Sequence, residues 1–323
     1  MVKSGKKLKI LIVGLGSIGQ RYSNILQKDE NFSVSAMTTG QGTKKIPINL
    51  KSNFERIYSN FDEINFRNYD FAIVCNPTFK HYETAKVLIK NKLNFLLEKP
   101  AFSTLNELKD IEKLAKSNNT KFSVGQNMRF HPIIKYLKSN IEHNSEIFQD
   151  SITNVKITNL SYLPDWHPWE DYRTSYVANP IGGGVRMTQN HELDYSIYLF
   201  GKIEKFSSST PKNKFLDIKT EENATYQIVF KNNIMGNINL SIASKIKDRK
   251  ITIYTDKNTL DCNLLTGEII IKSKNTQNLE NFKISLDNTY KNNVEEFINF
   301  LKNKKSKLPT NKEIELVLKY SLQ

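Results

Sequence analysis

The fold of this chain is decided by the stretch Ile10-Leu-Ile-Val-Gly-Leu-Gly-Ser-Ile-Gly19. Its apolar half predicts a buried strand, and its glycines have the spacing G-x-G-x-x-G ahead of an amphipathic helix near Ser17–Gln27. Gly14 permits a tight turn, Gly16 lets a pyrophosphate approach the backbone, and Gly19 lets the helix pack closely on the strand. The start of the helix adds free N–H groups and a partial positive charge, which bind phosphates. The residues predicted to hold a dinucleotide here are Gly14, Gly16, Ser17, Ile18 and Gly19.

The rest of the chain divides into two patterns. As far as Val124, short apolar runs alternate with amphipathic stretches, which predicts parallel βαβ units. The predicted helix near Thr104–Ser117 opens with Thr104 and Glu107 at the spacing of a capping box. After Gln126, one helix is predicted around Val185–Phe200. Residues 151–163 and 203–274 alternate in the manner of antiparallel strands. We therefore predict an α/β Rossmann dinucleotide-binding domain at residues 1–125. An α+β domain with a mostly antiparallel open sheet, for substrate binding and oligomerisation, is predicted at residues 126–323.

Composition excludes several classes of protein. The chain has 323 residues, of which 38% are hydrophobic and 25% charged, enough to build cores for two domains. The net charge is +14, but the lysines are scattered, which favours a solvated surface over a nucleic-acid site. The two cysteines lie far apart and the five histidines lack metal-ligand spacing, so we expect neither a disulfide framework nor a metal.

No membrane or export segment is predicted. The apolar run after Lys3, Lys6 and Lys7 is short and is interrupted by glycines, unlike a signal peptide. No run approaches the ~20 apolar residues that span a bilayer. We expect a cytoplasmic protein with no nucleic-acid or membrane partner.

The end of the second predicted strand bears on the choice between NAD and NADP. An acid at this point binds the ribose 2′-hydroxyl of NAD, whereas neutral or basic residues accept the 2′-phosphate of NADP. The chain has no carboxylate here; its residues are Met37, Thr38, Thr39 and Gly40, with Lys44 and Lys45 following. The pattern favours NADP, leaves NAD open, and makes Thr38 a candidate cofactor contact.

Four segments, in this order, together resemble the Gfo/Idh/MocA oxidoreductases, the family of glucose–fructose oxidoreductase and inositol dehydrogenase. They are Gly14–Gly19, Cys75-Asn-Pro-Thr78 with His81, Glu98-Lys-Pro100, and Gly182-Gly-Gly184 leading to His191-Glu-Leu-Asp194. The segment from Gly125 to Pro132 resembles the family's entry into its second domain. The segment Trp166-His-Pro-Trp169 further resembles members linked to sugar and nucleotide-sugar metabolism for surface polysaccharides.

The resemblance implies hydride transfer between NAD(P) and a secondary hydroxyl or carbonyl of a sugar, polyol or nucleotide sugar. The catalytic residues that it implies are Lys99 and His191, which hold the hydroxyl and move its proton. Further cofactor contacts are expected at Asn76, Pro77, Thr78, His81, Glu98 and Lys99. The expected substrate contacts are Lys99, Asn127, Arg129, Trp166, His167, Thr188 and His191.

One departure from the family pattern leaves alternatives open. Thr188, His191 and Asp194 have the spacing of one helix face, and Thr188 stands where many relatives carry an Asp. Threonine can bond a hydroxyl but cannot act as a carboxylate base. A cofactor-binding sensor with little catalysis, or redox-assisted elimination or epimerisation with a recycled cofactor, therefore remains open beside the dehydrogenase.

Structural interpretations, without a catalytic role, also remain open for single residues. Lys99 could be a solvated lysine at a strand end, and His191 a satisfied core histidine. The loop around Trp166 could pack against the domain or against another subunit. Because the open sheet of the second domain has one face to cover, we expect a homodimer or homotetramer.

Overall fold

The computed structural model describes residues 7–38, 53–148, 151–211 and 214–323. These residues form two compact units. The first unit comprises the described part of Met1–Gln126 together with Tyr290–Asn311, and the second comprises that of Asn127–Thr289 together with Lys312–Gln323. Residues 290–311 thus pack with the first unit, although they follow the second unit along the chain.

The first unit contains a sheet of six parallel strands. The strands are β1 (Leu8–Val13), β2 (Phe32–Met37), β3 (Ile57–Tyr58), β4 (Phe71–Val74), β5 (Phe95–Glu98) and β6 (Phe122–Gly125). Their order is β3-β2-β1-β4-β5-β6, which confirms the predicted Rossmann domain. Ile10, Leu11 and Ile12 are fully buried, as expected of a parallel strand covered on both faces.

Helices connect and cover these strands. They are α1 (Ser17–Leu26), α2 (His81–Lys90), α3 (Leu105–Ser117) and, late in the chain, α7 (Leu286–Leu301). Helix α3 begins at the predicted capping box, in which Thr104 and Glu107 bond each other's backbone N–H groups. Helix α7 packs against the sheet through Phe297, whose ring lies 5.4 Å from that of Phe71.

The second unit contains an eight-stranded sheet of order β14-β13-β12-β11-β7-β10-β9-β8. Its strands are β7 (Ile152–Tyr162), β8 (Ile203–Ser209), β9 (Asn223–Phe230), β10 (Met235–Ser241), β11 (Ala243–Thr255), β12 (Thr259–Asn263), β13 (Glu268–Lys272) and β14 (Gln277–Asn281). Only the β7–β10 pair among these described strands is parallel, so the predicted mostly antiparallel sheet is confirmed.

One face of this sheet forms the core of the second unit, and the other is polar. Along β9 and β10 buried residues alternate with partly exposed ones, as in a sheet covered on one side. On the exposed side Thr225 donates to Asn239 at 3.1 Å, and Asn239 donates to Asn237 at 2.6 Å. The helices of this unit are α4 (Pro132–Glu142), α5 (Gly184–Thr188), α6 (His191–Phe200) and α8 (Asn311–Ser321).

The prediction of one helix over Val185–Phe200 is wrong. The structure has two helices, because Gln189 leaves helical geometry with φ −105° and ψ 34°. Thr188 therefore ends α5 and His191 begins α6. Their spacing does not place them on one continuous helix face.

Candidate active site

The turn between β1 and α1 has the geometry of a phosphate site. Gly14 has φ +97°, and a Cβ added to it would lie 2.6 Å from the backbone nitrogen of Asn76. A Cβ on Gly19 would collide with the carbonyl oxygen of Gly14, whereas one on Gly16 would meet no atom of the described residues within 4 Å. Helix α1 has no side-chain cap and no acid in its first turn. Its first N–H groups and the open space above Gly16 therefore fit a pyrophosphate.

Thr38 directly follows β2. It is 4% exposed, and both its hydroxyl and its backbone N–H donate to the carbonyl oxygen of Tyr58, at 3.2 and 3.0 Å. The neighbouring residues Thr39, Gly40, Lys44 and Lys45 lie outside the described residues. The preference for NADP stays a prediction.

The loop after β4 carries Asn76, Pro77 and Thr78. Asn76 is buried next to Gly14, and its Nδ2 donates to the Thr84 hydroxyl at 2.8 Å. Its Oδ1 is buried and has no hydrogen-bond partner among the residues that the structure describes. A buried acceptor of this kind beside the glycine turn fits a donor such as a ribose hydroxyl.

His81 ties this loop to the turn after β5. The ring is buried; its Nε2 lies 2.8 Å from the carbonyl oxygen of Asn76, and its Nδ1 lies 3.1 and 3.0 Å from those of Pro100 and Ala101. Burial lowers the pKa of His81 against the opposing effect of these hydrogen bonds. The contacts of His81 fix one loop against the other, and cofactor binding by its side chain stays a prediction.

Lys99 is half-buried directly after β5, at the carboxyl edge of the parallel sheet, and its peptide bond to Pro100 is cis. Ligands of open α/β sheets bind at this edge. The preceding residue Glu98 is 7% exposed, and its Oε1 accepts from the Tyr22 hydroxyl at 2.8 Å. Tyr22 in turn accepts from Asn293 Nδ2 at 2.9 Å. Burial raises the pKa of Glu98 to about 7, although the bond from Tyr22 and the charge of Lys99 oppose this.

In the second unit, Arg129 and Asp194 form a buried ion pair. The guanidinium is 2% exposed and donates from Nε and Nη2 to the two carboxylate oxygens of Asp194, at 2.8 and 2.7 Å. Nη2 also lies 3.2 Å from Glu313, and the guanidinium carbon lies 4.7 Å from the ring centroid of Tyr198. This pairing holds α6 to the segment before α4. Substrate contact by Arg129 stays a prediction.

His191 begins α6 among buried polar groups and is 9% exposed. The side-chain oxygens Gln189 Oε1 and Asn190 Oδ1 are buried beside it with no hydrogen-bond partner among the described residues. The Thr188 hydroxyl donates to the carbonyl oxygen of Gly184 at 2.7 Å. The Thr188 hydroxyl thus bonds back to the first residue of its own short helix.

The remaining predicted substrate contacts are placed as follows. Asn127 is buried and donates to the Thr289 hydroxyl at 2.8 Å. Trp166 packs against the core of the second unit, whereas Trp169, which was not predicted, is 69% exposed. His167 is half-buried with its ring 5.4 Å from that of Trp169. The exposed indole of this loop is therefore Trp169 rather than Trp166.

The described parts of the chain contain neither a candidate metal site nor a candidate membrane span. No group of three or more His, Cys, Asp or Glu side chains there could hold a metal ion. None of the described helices combines the length and the apolar surface needed to cross a bilayer. Both cysteines, Cys75 and Cys262, are free thiols.

A parallel sheet with this strand order and a glycine turn at a helix N-terminus defines a Rossmann dinucleotide-binding protein. The family model described as "Oxidoreductase family, NAD-binding Rossmann fold" matches residues 8–126, and the GFO/IDH/MocA C-terminal domain matches residues 149–261. The chain therefore belongs to the Gfo/Idh/MocA family and is an NAD(P)-dependent oxidoreductase of the dehydrogenase or reductase type.

Relatives and solved structures are similar over most of the chain. The uncharacterized oxidoreductase YrbE of Bacillus subtilis (strain 168) is 25% identical over 243 residues, 73% of this chain and 67% of YrbE. The UDP-N-acetylglucosamine 3-dehydrogenase GnnA of Acidithiobacillus ferrooxidans superposes with a TM-score of 0.77 at 15% identity, covering 99% of this chain and 97% of that one. Levoglucosan dehydrogenase in complex with NADH gives a TM-score of 0.80 at 15% identity, covering 98% and 96%. At these identities the solved structures show the shared fold.

Proposed function

We propose that the protein transfers a hydride between NAD(P) and a secondary hydroxyl or carbonyl of a sugar, polyol or nucleotide sugar. The observation that carries the proposal is the position of Lys99. It lies at the carboxyl edge of the sheet, and His81 ties the turn that follows it to the Asn76 loop beside Gly14. The names of two similar structures, a nucleotide-sugar dehydrogenase and a levoglucosan dehydrogenase, support a sugar-related substrate.

Each residue has a proposed task. The α1 N-terminus and Gly16 hold the pyrophosphate, and Asn76 Oδ1 accepts from a ribose hydroxyl. Lys99 holds the substrate hydroxyl and takes its proton on oxidation, and His191 is the second candidate acid–base residue that the resemblance implies. Because the Thr188 hydroxyl is bonded to Gly184, proton transfer depends on Lys99 and His191. When bound, the nicotinamide accepts or supplies the hydride.

Arg129 and Asp194 support His191 within the second unit. Asp194 lies one helical turn after His191 in α6, and its pairing with Arg129 fixes that helix. We propose that this pairing orients His191, and substrate contact by Arg129 stays part of the proposal. His167 and the exposed Trp169 are proposed to contact the sugar, since an indole face packs well on a sugar ring.

The first test is binding followed by turnover. Calorimetry with NAD⁺, NADH, NADP⁺ and NADPH shows whether a dinucleotide binds, and we expect tighter binding of the NADP pair. A panel of polyols, sugars and UDP-sugars is then screened for a change in absorbance at the nicotinamide band. Lys99→Met should abolish turnover while retaining cofactor binding, and Lys80→Met on the same unit is the control with unchanged turnover. Absence of binding for all four dinucleotides would refute the proposal.

Two other functions would give different results in the same screen. A cofactor-binding sensor would bind dinucleotide and sugar with no turnover. Redox-assisted elimination or epimerisation would convert the sugar without net accumulation of NAD(P)H. The engagement of Thr188 with Gly184 is the observation that keeps both in the test.

The proposal also covers the assembly, the location and the metabolic context of the protein. We propose a homodimer or homotetramer formed through the polar face of the second unit's sheet, in a cytoplasmic location that suits two free thiols. A role in sugar metabolism for surface polysaccharides is the context implied by the resemblance of the Trp166–Trp169 segment. Light scattering tests the assembly, because the chain mass is 37.3 kDa and a monomer at every concentration would contradict it.

A further inference from the structure

A buried chain of hydrogen bonds ends at the residue before Lys99. Asn293 on α7 donates to the Tyr22 hydroxyl at 2.9 Å, and Tyr22 on α1 donates to Glu98 Oε1 at 2.8 Å. Asn293 and Tyr22 are fully buried and Glu98 is 7% exposed. None of these three side chains has a part in the proton transfer proposed above. A carboxyl group buried in this way, next to a catalytic lysine, needs a physical account.

The position of the carboxyl group is fixed from a second direction. A Cβ added to Gly125, at the end of β6, would lie 2.7 Å from Asn293 Nδ2 and 2.9 Å from Glu98 Oε1. The backbone N–H of Lys99 donates to the other oxygen, Oε2, at 3.3 Å. Helix α1, helix α7 and two strand ends therefore hold Glu98 in one place.

Some of the groups that face Glu98 are neutral and others are positively charged. Burial raises the pKa of the Tyr22 hydroxyl, of the Cys75 thiol and of the Tyr290 hydroxyl, so all three stay neutral at physiological pH. Lys99 supplies a positive charge that favours the carboxylate. Arg21 lies over the Tyr290 ring at 5.4 Å. Burial raises the pKa of Glu98 itself to about 7.

We propose that the ionisation of Glu98 is linked to the charge of the nicotinamide ring. This inference rests on the proposed function, because it requires NAD(P) in the glycine turn. Glu98 ends β5, two strands along from β1, at the edge where the nicotinamide half of a dinucleotide extends in Rossmann domains. The oxidised ring carries a positive charge and the reduced ring does not. A buried carboxylate therefore favours the oxidised ring, and the neutral acid favours the reduced ring.

Because of this linkage, the protonation of Glu98 changes during the reaction. Oxidation of a secondary alcohol sends the C–H hydrogen to the cofactor with both bonding electrons and releases the O–H hydrogen as a proton. Lys99 takes that proton, as proposed above. As the ring loses its positive charge, the neutral form of Glu98 becomes more favourable, and part of the carboxylate population takes up a proton from solvent. Reduction of a carbonyl runs the same balance backwards, with Glu98 returning its proton to solvent.

The test compares the affinities of oxidised and reduced cofactor. Dissociation constants for NADP⁺ and NADPH, or for the NAD pair, are measured by calorimetry from pH 6 to pH 8. We expect the affinity for the oxidised form, relative to the reduced form, to rise about tenfold over this range, and to stay constant in Glu98→Gln. The ribose 2′-phosphate titrates in both NADP⁺ and NADPH. Its effect therefore cancels from the ratio of the two dissociation constants. A ratio independent of pH in the wild type overturns the inference and leaves the proposed function standing, whereas absence of all cofactor binding overturns both.

A second pair of variants keeps the test independent of Glu98→Gln folding. Tyr22→Phe removes the donor that favours the carboxylate, so the midpoint of the pH dependence should rise by about one pH unit. Tyr82→Phe is the matched control, because Tyr82 donates to Asp110 at 2.7 Å outside this network, and its midpoint should match the wild type. Infrared difference spectra of the cofactor-free protein provide the spectroscopic readout. The carboxylic-acid band of Glu98 should disappear as the pH rises. The midpoint of this loss should be higher in Tyr22→Phe than in the wild type, and an unchanged midpoint would contradict the assignment.

Discussion

Replacing Asp194 with alanine is expected to destabilise the second unit by about 3–5 kcal/mol, the range for removal of one partner of a buried ion pair. The Arg129 guanidinium is 2% exposed and makes its two shorter charged hydrogen bonds, at 2.8 and 2.7 Å, to this carboxylate. After the substitution, Glu313 at 3.2 Å and the Tyr198 ring at 4.7 Å would remain among the partners of the guanidinium. Glu313 is 24% exposed and compensates weakly. The buried positive charge is the source of the loss.

Fluorescence can isolate this unit, because both tryptophans of the chain, Trp166 and Trp169, lie in it. With a urea dependence of about 2 kcal/mol per molar, a loss of this size lowers the unfolding midpoint by roughly 2 M. The double variant Arg129→Met with Asp194→Leu removes both charges and should recover most of the loss. Asp171→Asn, at the exposed pair with Arg173, is the control with no detectable change.

Two results would refute this reasoning. The first is a midpoint in Asp194→Ala within about 0.3 M of the wild type, well below the shift expected for a buried pair. The second is a double variant as unstable as the single one, since the loss would then come from packing rather than from an unpaired charge.

Other predictions concern the glycine turn and a buried histidine. Gly16→Ala should leave the far-ultraviolet circular dichroism melt unchanged and weaken dinucleotide binding at least about tenfold, because its methyl group enters open space where the pyrophosphate belongs. Gly19→Ala should instead lower the melting temperature, because its Cβ collides with Gly14, and equal stability of the two variants would contradict this. Burial lowers the pKa of His131 from 6.5 to about 4, so the folded second unit resists protonation and should lose at most about 3 kcal/mol as pH falls through that range. His131→Asn keeps an acceptor for the Ile133 N–H and should flatten this dependence in tryptophan-monitored unfolding; an unchanged slope would assign it elsewhere.

Local patterns in the sequence were sufficient for the glycine turn of the first unit and for the start of α3. The glycine spacing after β1 predicted the turn, because Gly14 needs positive φ and Gly19 lies against the preceding turn. The capping pair Thr104 and Glu107 fixed the start of α3 because both groups act within one helical turn. Where the chemistry lies within a few residues of the chain, the sequence contains its own signal.

Long-range partners could not be predicted. Tyr22 and Asn293 meet across 271 residues, and neither belongs to a motif. The charges of Arg129 and Asp194 were visible in the sequence, but their mutual pairing depends on how α6 packs and was not predicted. The break at Gln189 was missed because the apolar spacing of residues 185–200 continues through it.

The return of helix α7 to the first unit has a consequence during synthesis. Tyr22 and Phe71 emerge from the ribosome early, whereas their partners Asn293 and Phe297 follow residues Asn127–Thr289 of the second unit. At about 5–20 residues per second, the 163 residues from Asn127 to Thr289 delay those partners by on the order of 10–30 s. Throughout that interval the nascent nucleotide-binding sheet has an uncovered apolar surface, and it is at this stage that chaperones would bind the growing polypeptide.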